Sequence, residues 1–223
     1  MFHRVSPQLI LVTLKEAQPS EPPSSTFMVE FGEAFPPTHP TTRLCLDLLL
    51  EALEGGSVNY LVDVGCGSGI LGLAAAVLGV PLVVGVDKAG GAAAITRLNA
   101  RENAVADALM VVQGSTECVK VPFDLVVANL PWETQMAKTP ELDRLAAPEG
   151  SLILSGFRDH QEDLLMEPYR KLGWSLNRRL VKYFWHPELP QDISFNWVAW
   201  SLNRLSGRGK GVLAAREFDP QKS

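Results

Sequence analysis

The stretch Tyr60-Leu-Val-Asp63-Val-Gly65-Cys66-Gly67-Ser-Gly69-Ile-Leu-Gly72 decides how this chain is read. Its opening residues, YLVDV, form an apolar run broken by one acid, and an apolar helical pattern begins at Ile70, so a buried strand turns into a helix across the glycines. Glycines lack the side chain that would hold a ligand away, so a backbone can pass close beneath one at such a turn. The next apolar run, PLVVGVD, ends in a second lone acid, Asp87. An acid, a glycine loop and a second acid in this order point to a nucleotide-type cofactor site. The competing reading makes the glycines only a tight turn and both aspartates solvated strand ends.

Spacing separates the candidate cofactors. A dinucleotide fingerprint needs glycines at its first, third and sixth positions, and counting from Gly65 the sixth is Ile70. The glycines fall instead at 65, 67 and 69 with Asp63 ahead of them, which resembles the S-adenosylmethionine-dependent methyltransferases of Rossmann-like fold. That resemblance implies a three-layer α/β architecture, with a mostly parallel seven-stranded sheet and an antiparallel edge strand. It also implies S-adenosyl-L-methionine as cofactor, S-adenosyl-L-homocysteine as product, and a set of roles. The loop Gly65, Cys66, Gly67 and Gly69 would pass beneath the amino-acid and ribose portion, and Asp63 would serve the cationic methionine end. Asp87, followed by Lys88, lies 18 residues after Gly69, close to the offset at which an acid meets ribose hydroxyls in such folds.

The 223 residues suit one domain with a substantial core, and 46% hydrophobic with 20% charged residues is a globular balance. The formal charge of −5 supplies no overall basic field, so RNA is disfavoured as a partner, though not excluded. Three scattered cysteines, Cys45, Cys66 and Cys118, suggest neither a disulfide framework nor a metal site. A reducing compartment, the cytoplasm, is expected. The apolar run LILVTL at 9–14 is too short for a signal core and meets Lys15-Glu16. The run 70–86, interrupted by Gly72, Gly79, Pro81 and Gly85, falls short of a membrane span.

Along the chain, a short strand-like run and a Pro/Ser-rich stretch at 18–25 read as an extension or linker. A helix is expected over 41–53, started by Pro40-Thr41 and stopped by Gly55-Gly56. Regular alternation follows: strand 60–64, helix 70–78, strand 82–86, helix 91–103, strands 109–113, 123–128 and 151–155, then helix 159–172. This pattern implies a mostly parallel sheet covered on both faces. Two β-rich runs, 174–185 and 194–202, suit an antiparallel pair at a sheet edge.

A second element is Phe31-Gly-Glu-Ala-Phe-Pro36-Pro37-Thr38-His39-Pro40-Thr41-Thr42. It resembles the entry motif of the PrmA-type ribosomal-protein lysine methyltransferases, Pro-Gly-x-Ala-Phe-Gly-Thr-Gly-x-His-Pro-Thr-Thr. With the glycine loop, Asp87, Asn99, Asn103 and Trp197-Val198-Ala199, the likeness covers about residues 27–202. It implies that 27–203 is the methyltransferase domain, that 1–26 is an extension in place of the family's N-terminal substrate domain, and that 204–223 is a basic flexible tail. Thr38 and His39 are read in two ways, as a cap on the next helix and as a wall of the cofactor pocket. Where the family has Gly-Thr-Gly, this chain has the stiffer Pro36-Pro37.

After the strand FDLVVA comes Asn129-Leu130-Pro131-Trp132, close to the Asn-Pro-Pro-Tyr element of methyltransferases acting on amide or amino nitrogens. The implied roles are acceptor-binding: the Asn129 carboxamide oxygen and the Leu130 carbonyl would receive the target's N–H groups, Pro131 would shape the turn, and Trp132 would offer a flat face, with Asn129 also touching the cofactor. In the plainer reading Pro131 ends a strand and Trp132 packs in the core. Ser115, with Glu117 as alternative, stands where the family's adenine-binding acid is missing. The expected activity is methyl transfer to a nitrogen of a protein side chain. RNA or small-molecule acceptors, and an inactive module retained for partner binding, are the alternatives.

Overall fold

The computed structural model describes residues 2–4, 10–13, 26–29, 38–56, 58–183 and 196–204. Strand β4 (Tyr60–Val64) lies between β5 (Leu82–Asp87) and β7 (Phe123–Asn129), parallel to each, and is buried from its second residue onward because its side chains pack into a core cluster on either face. A strand covered on both faces needs an almost continuous apolar run. The sheet extends through β6 (Leu109–Gln113) on one side and β8 (Ala146–Arg158), β10 (Trp197–Arg204) and β9 (Trp174–Lys182) on the other, in the order β6-β5-β4-β7-β8-β10-β9. Strand β10 runs antiparallel to both β8 and β9, so it lies between the parallel body and the outermost strand.

Side chains alternate across the sheet. Leu61, Val83, Leu125, Val127, Ile153 and Ala199 face α1 (Pro40–Glu54) and α2 (Ile70–Val77). Val62, Val64, Val84, Val126, Leu152 and Trp200 face the other way, onto α4 (Trp132–Leu145) and α5 (Glu162–Lys171). Helix α3 (Gly90–Glu102) completes the crossover between β5 and β6. The three layers expected for a Rossmann-like fold are present.

Three features depart from the expected elements. Helix α4 was not expected, because Pro140 sits inside it and its buried stripe runs Gln135, Thr139, Leu142, Leu145, half of it polar. Hydrophobic periodicity is weak there. Strand β8 begins at Ala146, with a register irregularity against β7 between Phe123 and Leu125. Residues 159–161 form a separate 3-10 turn before α5. Near the N-terminus, β1 (Phe2–Arg4) pairs antiparallel with β2 (Ile10–Thr13), and β2 pairs parallel with β3 (Thr26–Val29). Val29 is fully buried. The Pro/Ser-rich stretch, the entry motif through Pro37, and 205–223 lie outside the described residues.

Candidate functional site

The strand order reverses at β4, whose neighbours lead away in opposite directions, and ligands bind at such a switch point beyond the carboxyl ends of the strands. A cavity of about 440 Å³ lies there, of the size of small-molecule sites. Its walls include Asp63 and the glycine loop after β4, Asp87 and Lys88 after β5, Ser115 and Thr116 after β6, and Asn129 to Pro131 after β7.

The glycine loop is built for close approach. Gly65, Gly67 and Gly69 have φ of 70°, 58° and 79°, a left-handed conformation that side chains disfavour. A Cβ at Gly65 would come within 2.3 Å of Leu130 Cδ2, and one at Gly69 within 2.5 Å of Thr96 Cγ2. Helix α3 holds the loop from behind: the Thr96 hydroxyl donates to Gly67 O at 2.9 Å, and Asn99 Nδ2 donates to Ser68 O at 2.8 Å. The sequence exposes Asn99 only through family likeness and gives Thr96 no distinguishing signal.

The two acids have different surroundings. Asp63 is 2% exposed, and its Oδ2 accepts from Gly72 N at 3.0 Å. Burial raises its carboxyl to about 7, the Gly72 hydrogen bond opposes that rise, and the nearby Asp87 charge adds to it. Asp87 is less buried; it accepts from Gly67 N at 3.0 Å through Oδ2 and from Ala89 N at 2.9 Å through Oδ1. Each oxygen keeps a further lone pair. Burial pushes the Cys66 thiol up to about 12, with the Asp63 charge second, so it lines the loop as a neutral thiol.

Asn129 ends β7, and its Oδ1 is buried without a hydrogen-bond partner. An unpaired buried acceptor at a cavity wall is a place for a ligand's N–H. The neighbouring carbonyl differs from expectation. Leu130 O accepts from Gln135 Nε2 at 3.3 Å, and a Cβ at Gly156 would lie 2.0 Å from it. It faces β8, and the side chain of Leu130 covers Gly65. Gln135 Nε2 also donates to Ser155 O, so this wholly buried amide clamps the turn between β7 and α4.

Other expected site residues are distributed unevenly. Thr38 is exposed, and His39 caps α1, its Nδ1 accepting from Thr41 N at 3.4 Å. The His39 ring meets Trp197 edge-on at 5.2 Å between centroids, and the Arg158 guanidinium lies 4.0 Å from the centre of the Trp197 ring. Burial and Arg158 hold His39 below its ordinary pKa. Of this motif, Thr42 is among the lining residues, whereas Thr38 and His39 are not, and His39 caps α1. Trp132 opens α4 and packs partly against the core, outside the lining. Thr134 and Lys138, one turn apart on α4, do line the cavity; both were missed with their helix. Glu117, the alternative base-end acid, is paired with Lys138 at 2.6 Å and lies outside the lining.

Among the described residues, no group of three or more side chains could hold a metal ion, and no helix is long and apolar enough to cross a membrane.

Comparison with known proteins agrees with this architecture. A protein called ribosomal protein L11 methyltransferase in Syntrophotalea carbinolica is 36% identical over 174 residues, covering 77% of this chain and 57% of its own length. The protein of that name in Thermotoga maritima is 35% identical over 157 residues, covering 70% and 57%. The chain thus spans less than two thirds of these relatives. A crystal structure of the ribosomal protein L11 methylase from Lactobacillus delbrueckii subsp. bulgaricus superposes with a TM-score of 0.77 at 25% identity, covering 91% of this chain and 98% of that one. Magnesium protoporphyrin IX methyltransferase from Synechocystis PCC 6803, solved with bound S-adenosylmethionine, shares the fold at a TM-score of 0.59 and 19% identity, over 72% of this chain and 78% of that one. The family model for ribosomal protein L11 methyltransferase (PrmA) matches residues 3–187, most of the molecule, and the chain belongs to that family.

Proposed function

We propose that this chain is an S-adenosylmethionine-dependent methyltransferase that methylates a nitrogen on a protein side chain. The observation that carries the proposal is the unpaired, buried Asn129 Oδ1 at the wall of a cavity whose other side is a glycine loop and Asp87. The donor set suits the cofactor. Asp87 has acceptor capacity left for ribose hydroxyls, the loop leaves no side chain between backbone and ligand, and Asp63 offers negative charge near the methionine end.

When bound, S-adenosylmethionine supplies an electrophilic methyl on a positively charged sulfur, which leaves as a neutral thioether. The protein therefore needs to position groups more than to stabilise developing charge, and alignment can be worth roughly 7–11 kcal/mol. Asn129 Oδ1 accepts from the substrate's N–H, which turns the nitrogen lone pair toward the methyl. Asp63, held by the Gly72 amide, ionises readily beside a cationic ligand, because its raised carboxyl gains a counter-charge. A lysine substrate sheds its proton before attack, and a dry pocket favours the neutral amine.

Ribosomal protein L11, named for the relatives, is the first acceptor to test. The experiment transfers labelled methyl from S-adenosylmethionine to purified L11 and, in parallel, to a cell extract. Protease-sensitive label that disappears with Asn129→Ala supports the reading. Ribonuclease-sensitive label would move the acceptor to RNA, and absence of label together with no binding of S-adenosylhomocysteine would end it.

A further inference from the structure

The end of the cavity beyond Asp87 is lined by Gly114, Ser115 and Thr116 after β6 and by Lys138 from α4. Strand β6 neighbours β5, so a base attached to a ribose held at Asp87 extends over this end. The acids among the lining residues are Asp63 and Asp87, and neither belongs to it. What stands there is an ammonium.

Lys138 is held in place. Its Nζ donates to Ser115 Oγ at 3.1 Å, Thr116 Oγ1 at 3.2 Å and Glu117 Oε1 at 2.6 Å, and its side chain is 18% exposed. Glu117, hydrogen-bonded by Lys138 and well below the usual carboxylate range at about 2, stays ionised and balances the ammonium. The hydrogens can then be assigned. The Thr116 hydroxyl donates to Glu117 Oε2 at 3.3 Å. The Ser115 hydroxyl accepts from Lys138 and gives its one hydrogen to Glu117, whose carboxyl that bond also helps to hold down. The donor that this end of the cavity can offer a ligand is therefore the ammonium, by exchange of one of its three contacts. An adenine amino group needs an acceptor, whereas the adjacent ring nitrogen N1 is itself an acceptor at the edge farthest from the sugar.

We propose that Lys138 is the specificity-determining residue for the base: its ammonium, standing at the cavity end, reads adenine N1. The base replaces the longest of the three ammonium contacts, that to Thr116. This rests on the cofactor reading above and goes beyond it by assigning the base edge to a residue on α4.

The test is calorimetric titration with S-adenosylhomocysteine and with its 1-deaza analogue, in which N1 is replaced by C–H. Wild type should bind the analogue about tenfold more weakly, as expected for loss of one charge-assisted hydrogen bond. Lys138→Met should lose about tenfold for the natural ligand and show little further loss for the analogue, while Lys138→Arg, which keeps a donor, should recover most of the affinity. Equal affinity of wild type and Lys138→Met for S-adenosylhomocysteine would overturn the proposal, as would an unchanged analogue penalty in Lys138→Met. If wild type binds neither ligand, the cofactor reading itself fails, and this outcome is distinct from the other two. Thermal unfolding of each variant, unchanged from wild type, verifies that folding is not what is read.

Discussion

At the scale of single residues, Asn129 and Asp87 should separate catalysis from cofactor binding. Asn129→Ala leaves the glycine loop and Asp87 in place and removes the acceptor proposed to orient the substrate nitrogen, so turnover should fall about a hundredfold with little change in S-adenosylhomocysteine affinity. Asp87→Ala should instead weaken that affinity about tenfold or more. Initial rates and titrations on both variants decide the matter; identical profiles would remove both assignments. Asp63 gives a prediction about pH. An unfolded-chain aspartate titrates near 3.9, whereas the folded carboxyl titrates at about 7. Between these values the folded state holds the extra proton, so stability declines as pH rises through the window and levels off above it. Asp63→Asn keeps an acceptor for Gly72 N–H and cannot titrate. Its unfolding free energy should change less between pH 4 and 7, by roughly 2–4 kcal/mol, measured by denaturant titration at successive pH values.

At the scale of elements, the junction of β7, α4 and β8 carries the proposed acceptor side of the site. Gly156 has φ of 100°, and a Cβ there would sit 2.0 Å from Leu130 O and 2.6 Å from its carbonyl carbon. Backbone cannot swing aside as a side-chain end can. Gly156→Ala should therefore destabilise the protein by roughly 2–4 kcal/mol, a change read as a lower urea midpoint; an unchanged midpoint would mean that the turn is not anchored against β8. This junction was also the least legible part of the sequence. The glycine loop, Asp63 and Asp87 were readable because strand, turn and helix follow one another within a few residues, and the left-handed turns require glycine locally. Lys138 and Gln135 gave no such signal. They reach the site through a helix whose inward stripe begins with Gln135 and Thr139 and whose interior contains Pro140, so nothing apolar and periodic announces it. The His39-Pro40 pair reads equally well as cap and as pocket wall; the structure adds that His39 caps α1 and stands against Trp197, while Thr42 lines the cavity.

At the scale of the molecule, alternation of strands and helices was enough to indicate the parallel sheet, because a right-handed crossover is nearly the only way to lay successive parallel strands side by side. Which residues meet at the switch point was not so accessible, since β5, β4, β7 and α4 deliver their contributions from positions as far apart as Asp63 and Lys138. The same geometry makes the site a stapling point. A ligand spanning Asp87 on β5 and the loop after β4 ties neighbouring strands together, and it has no equivalent partner in the unfolded chain. Binding to the folded state alone stabilises by about 2.7 kcal/mol at a hundred times the dissociation constant. For a chain of this size each kcal/mol raises the midpoint by about 2–4 °C, so S-adenosylhomocysteine should lift the melting temperature by roughly 5–10 °C. Adenosine alone reaches only the Asp87 and Lys138 end and should give a smaller rise at the same concentration. In Asp87→Ala the rise should shrink for both ligands, whereas in Asn129→Ala it should persist, because that residue faces the acceptor. A wild-type melting curve that ignores millimolar S-adenosylhomocysteine would remove the cofactor from this cavity; a full shift that survives Asp87→Ala would move the ribose away from β5.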